Sequence, residues 1–263
     1  MTTTPGDDLT RWIRRFHPVP HAETRLVCFP HAGGSASYYF PMSRALTPRI
    51  EVLAVQYPGR QDRRLEPFIE SIPELAERTC AALAAWTDRP FAFFGHSMGA
   101  ILAFEVARLM EAGGARHPLH LFASGRRAPT RYRDGRVHRY DDASLIEELT
   151  RNGGTDRRFL DDAEMRAAIL PLVRSDYRAI ETYHCTQGPP LTCPITALVG
   201  DSDPQTTIDE ASAWAEQCGE GFDLRVFPGG HFYLDAHREA VTDAVSAAMA
   251  VASGDSFQRG GTS

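Results

Sequence analysis

The residues best suited to covalent chemistry are Gly95-His96-Ser97-Met98-Gly99, set directly after the apolar run Phe91–Phe94 and directly before a helical pattern. G-x-S-x-G between a strand and a helix holds a serine at the top of a sharp, strained turn, and the glycines let neighbouring backbone pass. Ser97 is therefore a candidate nucleophile, and the chemistry it suits is acyl transfer through a covalent ester. A serine hydroxyl is weak until a base takes its proton, so a histidine and an orienting carboxylate are required, in the chain order Ser, acid, His. Of ten histidines, only His231 and His237 lie beyond the sixth apolar run. His231, in Pro228-Gly229-Gly230-His231-Phe232, occupies a flexible loop just after that run, whereas His237 is expected within the following helix. Gly200-Asp201-Ser202-Asp203-Pro204 offers two acids. Pro204 biases Asp203 away from helical geometry and Asp201 suits a turn or cap, so Asp203 is the expected partner of His231. The backbone N–H groups of Met98 and of Ala32, in Pro30-His31-Ala32-Gly33-Gly34-Ser35, are the expected oxyanion donors. Gly33-Gly34 also reads as a plain turn; a phosphate cradle would need the G-K-[ST] ending that is missing.

Other constellations carry less. His117 and His120 lack a third ligand at a recognisable zinc spacing, so no metal is expected. Asp176 and Glu181 are expected to pair with nearby Arg174 and Arg178; a glycosidase pair would leave the serine turn unexplained. The five cysteines are odd in number and scattered, which points to free thiols in a reducing compartment. All 28 basic residues are Arg. The absence of Lys removes Walker A phosphate binding, Schiff-base chemistry and a pyridoxal phosphate anchor. A net charge of −6 disfavours nucleic acid as a partner, and with neither a signal core nor a long apolar run, a cytoplasmic protein without membrane contact is expected.

The elements that must position these residues alternate. Short apolar runs at Arg25–Phe29, Glu51–Val55, Phe91–Phe94, Leu119–Ala123, Ile195–Val199 and Asp223–Phe227 lack polar alternation, as strands of a parallel sheet covered on both faces would. Helical patterns fall near Ala36–Leu46, Pro73–Trp86, Met98–Glu111, Thr207–Cys218 and Asp235–Val251. The fold class is α/β, a mostly parallel sheet flanked by helices. Residues 128–187 break the alternation: Asp141–Thr150 and Asp161–His184 read as helices, the second with an apolar stripe of Met165, Ile169, Leu172, Tyr177 and Ile180, and a kink is expected at Pro171. This insertion divides a core of residues 1–127 and 188–252, and a Gly/Ser-rich tail, 253–263, is expected to be disordered.

Taken together the motifs resemble those of type II thioesterases, stand-alone editing hydrolases of polyketide and nonribosomal-peptide assembly lines with an α/β-hydrolase fold. The resemblance runs from Leu26 to about Val251. It is carried by Cys28-Phe29-Pro30-His31-Ala32-Gly33-Gly34, Gln56-Tyr57-Pro58-Gly59-Arg60, Gly95-His96-Ser97-Met98-Gly99-Ala100, the stretch Arg174 to Tyr183, Gly200-Asp201-Ser202-Asp203-Pro204 and Gly229-Gly230-His231-Phe232. It implies a triad of Ser97, Asp203 and His231, oxyanion donors at Ala32 and Met98, and a mobile lid formed by the insertion. The implied partner is an acyl or peptidyl carrier protein whose phosphopantetheine arm bears the acyl thioester, so the enzyme itself needs no cofactor. A chain that starts at Met1 with no fused carrier domain points to hydrolysis in trans. Because carriers of this kind are generally acidic, Arg126, Arg127 and Arg131, in a run that also holds Arg133, Arg136 and Arg139, are candidate contacts to the carrier or its arm; a solvated charged face is the plainer reading. A chain-releasing thioesterase, a general carboxylesterase and a non-catalytic acyl-binding protein are the alternatives.

Overall fold

The computed structural model of the protein describes residues 11–154 and 160–252. The expected disordered tail lies outside the described residues. Seven strands form one sheet: β1 Ile13–Arg14, β2 Thr24–Phe29, β3 Ile50–Val55, β4 Phe91–His96, β5 Leu121–Ser124, β6 Ile195–Gly200 and β7 Phe222–Phe227. Their order is β1-β3-β2-β4-β5-β6-β7, with β1 antiparallel to β3 and every other pairing parallel. The short β1 lies outside the sequence expectation. It joins the sheet because Trp12 and Ile13 bury against it.

Successive side chains of a strand point to opposite faces, and here both faces are covered. Along β4, Phe91 and Phe93 enter one core with α2 (Ile72–Leu83) and α3 (Met98–Ala112), while Ala92 and Phe94 enter the other with α1 (Phe40–Leu46) and α8 (Arg238–Ala252). The edge strand β7 departs from the expected uniform burial, alternating between half-buried and exposed, since one side of it meets no further strand.

Several helices are shorter or more divided than their patterns suggested. Pro41 falls in the first turn of α1, so Ala36–Tyr39 forms a separate 3₁₀ turn. The last expected helix splits into α7 (Tyr233–Ala236) and α8. His237 stands at the break rather than inside a helix, its ring donating to the Pro228 carbonyl at 2.9 Å.

Between β5 and β6 the helices are α4 (Asp142–Asn152) and α5 (Ala163–Glu181), and Asp141 and Asp162 cap them by accepting from Ser144 and Met165 N–H groups. The assigned helix α5 carries through Pro171. Of the expected stripe, Leu172 and Ile180 are buried and Ile169 and Tyr177 half-buried, while Met165 is exposed; Val173, Asp176 and Ala179 also turn inward. A carboxylate therefore sits in the middle of the packing surface, where an apolar reading of helix periodicity had no place for it. Both α4 and α5 lie over the carboxyl ends of the strands, where Ala32, Ser97, Asp203 and His231 follow β2, β4, β6 and β7.

Candidate active site

Ser97 adopts φ +55° and ψ −118°, a conformation rare for a residue with a side chain. The turn is possible because its flanks are glycine. A Cβ on Gly95 would lie 2.2 Å from the Gly99 carbonyl oxygen, and one on Gly99 would lie 2.0 Å from that of Phe29. The strand and helix thus cross at a spacing only hydrogen allows, with the Ser97 N–H donating to the Ser124 carbonyl at 2.8 Å.

The ring of His231 reaches over the sheet to this serine, with Nε2 3.0 Å from Ser97 Oγ. On its other side Nδ1 lies 2.9 and 3.1 Å from the two oxygens of Asp203. The Asp203 side chain is fully buried, and it also accepts from the Gln205 N–H at 2.7 Å. Asp201, by contrast, faces solvent and braces the histidine loop, accepting from the Gly229 N–H at 2.9 Å. The structure therefore brings Ser97, His231 and Asp203 into one hydrogen-bonded row, with Asp201 outside it.

Two further histidines surround the row. His96 stacks at a tilt 5.1 Å from the His231 ring, and its Nδ1 meets Ser124 Oγ, which in turn bonds Tyr233 Oη. His31 lies edge-on to His96 and Phe232. Burial, then the proximity of His231, pushes His31 down to about 3 and His96 well below the usual imidazole range. Of the three rings only His231 has a carboxylate beside it.

Ala32 lines the same cavity as Ser97, and Met98 opens α3 one residue after it. Neither N–H has a hydrogen-bond acceptor among the described residues. The loop carrying Ala32 is held from above and below. Asp176 of α5 accepts from the Gly33 N–H at 2.7 Å and takes Arg60 in a two-pronged pair at 2.8 and 2.9 Å. Arg60 also donates to the Gly34 carbonyl, and Tyr57 Oη donates to that of Pro30. Gly33, at φ +78°, has no room for a side chain beneath Val173 of α5. This linkage between the insertion and the loop carrying Ala32 was missed from sequence. Its only trace there was the Tyr57-Pro58-Gly59-Arg60 segment, which carried no assigned role.

The expected pairings inside α5 are corrected. Asp176 meets Arg60, Arg174 meets Asp142, Arg178 meets Glu70, and Glu181 takes His138. Residues two apart on a helix face different directions, so Asp176 turns into the core while Arg174 turns out. His117 and His120 do not converge either; His120 stacks on Phe122 and bonds Thr196. No group of His, Cys, Asp and Glu suited to a metal occurs among the described residues, nor a helix long and apolar enough to cross a membrane.

The cavity at the row is lined by Ser97, His231 and Ala32 and by Leu149, Tyr177 and Ile180 of the insertion. Arg126 also lines it. Arg127 is buried, and Arg131 is exposed but paired with Glu216. Arg133 and Arg136 are likewise taken up by Glu210 and Asp134.

Comparison with known proteins places this geometry. The Thioesterase domain family matches residues 24–249. The chain is 49% identical over 256 residues to the thioesterase PikA5 of Streptomyces venezuelae, covering 97% of this chain and 91% of that one. It is 36% identical to the gramicidin S biosynthesis protein GrsT of Aneurinibacillus migulanus, covering 86% and 89%. Among solved structures, the type II thioesterase BorB from the borrelidin biosynthetic cluster superposes with a TM-score of 0.85 at 49% identity, covering 90% of this chain and 97% of that one.

Proposed function

The chain belongs to the thioesterase domain family, and from that premise we propose that it hydrolyses acyl groups held as thioesters on the phosphopantetheine arm of acyl or peptidyl carrier proteins, clearing aberrant or stalled units from polyketide or nonribosomal-peptide synthases. The observation that carries the reading is the His231 ring bridging Ser97 Oγ at 3.0 Å and Asp203 at 2.9 Å. The relatives' association with such biosynthesis supplies the substrate class.

In this mechanism His231 Nε2 takes the Ser97 proton as Oγ attacks the thioester carbonyl. The Ala32 and Met98 N–H groups receive the charge that develops on the carbonyl oxygen. Collapse breaks the C–S bond, and the departing sulfur takes the proton from His231. A thiol with a pKa near ~8.5 needs less protonic help than an alcohol. Water then gives a proton to the same nitrogen while its oxygen attacks the Ser97 ester. The acid leaves, and the proton returns to Ser97. Asp203 holds the ring with Nδ1 protonated and stabilises its cationic form.

Wild-type protein is expected to show a higher kcat/KM on an acyl-carrier thioester than on the p-nitrophenyl ester of the same acid, and a fluorophosphonate should label Ser97. A preference for the ester would move the protein to the carboxylesterases, and no labelling would favour a binding role.

Asp176 acts in this scheme as a positioning residue. Asp176→Ala leaves the Arg60 guanidinium buried without its carboxylate and the Gly33 N–H without an acceptor. Stability should fall by about 3–5 kcal/mol, and in the folded fraction kcat should drop more than KM rises because Ala32 loses its fixed position. A melt and steady-state kinetics on one preparation check this. Lowered stability with unchanged kcat would reduce Asp176 to a purely structural role.

A further inference from the structure

The Asp203 carboxylate is fully buried, and among the described residues its hydrogen-bond partners are the His231 ring and one other donor, the Gln205 N–H at 2.7 Å. Gln205 lines the cavity that holds Ser97 and His231. Its side chain and carbonyl lead away from the acid turn. The side-chain Nε2 donates to Glu148 Oε1 at 3.1 Å and to Asn152 Oδ1 at 3.2 Å, both on α4. The carbonyl accepts from Arg127 at 3.3 Å and from Arg133 at 3.4 Å. An ionised carboxylate can only accept, so Glu148 fixes which end of the Gln205 amide faces α4.

Helix α4 is shaped for this contact. Glu148 and Asn152 are four residues apart and share a face, and Asn152 Nδ2 also donates to Glu148 Oε1 at 3.0 Å. Glu148 is buried, with Arg151 on its other oxygen at 2.8 Å. The apolar residues of α4, Leu145 and Leu149, belong to a cluster with Leu160, Leu170 and Val173 of the insertion, separate from the two cores on the sheet. What joins α4 to the acid turn is therefore polar and directional. On the hydrolase reading given under Proposed function, we propose that Gln205 is a positioning residue: gripped by Glu148 and Asn152, it holds the Asp203 carboxylate against His231, so that the insertion completes the triad as well as covering it. The N–H on Asp203 and the amide on α4 belong to one residue, and two hydrogen bonds at the far end fix the torsions between them. A misplacement of about 1 Å in such a row can cost about 100-fold in rate.

The test reads kcat and KM on the acetyl thioester of N-acetylcysteamine and, independently of that substrate, the second-order rate at which a fluorophosphonate labels Ser97. Gln205→Met keeps the length of the side chain and removes its amide. The kcat and the labelling rate should each fall about 10-fold, with KM changed less than about twofold; a direct contact to substrate would act on KM instead. Gln205→Glu turns a carboxylate toward Glu148 and should cost about 100-fold. Combining Gln205→Glu with Glu148→Gln reverses donor and acceptor at constant charge, and should bring both rates back to within about threefold of wild type. Unchanged rates in Gln205→Met, a change confined to KM, or a Gln205→Glu loss that Glu148→Gln does not relieve overturns the proposal. If Gln205→Met does not fold, Asn152→Ala takes its place, with about a threefold loss of labelling rate expected and no loss refuting the role. A wild type that is labelled but leaves the thioester intact defeats the thioesterase reading, and the labelling rates still decide the role of Gln205.

Discussion

Ser97→Ala should lose about 10⁶-fold in kcat on a carrier-bound thioester, the scale seen when a serine nucleophile is removed from a working triad. The residual rate, still above water, would come from the Ala32 and Met98 donors and from binding. Nothing else in the fold depends on the hydroxyl. The Ser97 backbone keeps its hydrogen bond to Ser124, and the tight spacing is held by Gly95 and Gly99. Alanine must occupy the same φ of +55°, so the strain is common to both proteins and the melting temperature should stay close to wild type. Rapid-quench detection of a radiolabelled acyl-enzyme gives a second readout: the adduct should form on wild type and be absent in the variant. A variant retaining more than a tenth of the activity would remove Ser97 as nucleophile, whatever its geometry.

Asp203→Asn should cost about 10⁴-fold in kcat, while Asp201→Asn costs less than tenfold. Both changes remove one charge in the same turn, so their difference isolates the hydrogen bond to His231. With an amide at position 203, the His231 nitrogen facing it can accept from the Nδ2 group. The ring proton then moves to Nε2, and that nitrogen no longer accepts from Ser97. The Gln205 N–H can still be satisfied by the amide oxygen, so the turn itself survives. Asp201 only braces the Gly229 N–H from the solvent side, a role an asparagine oxygen performs nearly as well. Paired kinetics on the two variants check the assignment, and a larger loss at 201 would transfer the acid.

The chain's local chemistry was legible where one residue type answers to one constraint. Gly95 and Gly99 could be read because only hydrogen fits between β4, α3 and the end of β2. The uniform apolar runs announced a sheet covered on both faces, and β2 to β6 are buried throughout. Legibility failed where a residue's role depends on a distant partner. Met165 looked like part of an apolar face because periodicity counts side-chain type, not what lies opposite; it is exposed, whereas Asp176, which no apolar pattern includes, is buried on Arg60. The arginine run from Arg126 onward looked uniform, yet Arg131 and Arg133 find glutamates about 80 positions away and Arg126 pairs with none among the described residues.

From its sequence alone this protein is committed to an alternating α/β architecture, a serine at a strand-to-helix turn, and an ordered supply of acid and base on later loops, because glycine placement, apolar periodicity and proline geometry act within a few residues. Tertiary structure alone decides that Asp176, 143 positions beyond Gly33, ties the helical insertion to the loop carrying Ala32, and that it pairs there with Arg60 rather than with an arginine of its own helix. Buried charge is matched by whatever the packing brings near it, and no local pattern encodes that distance.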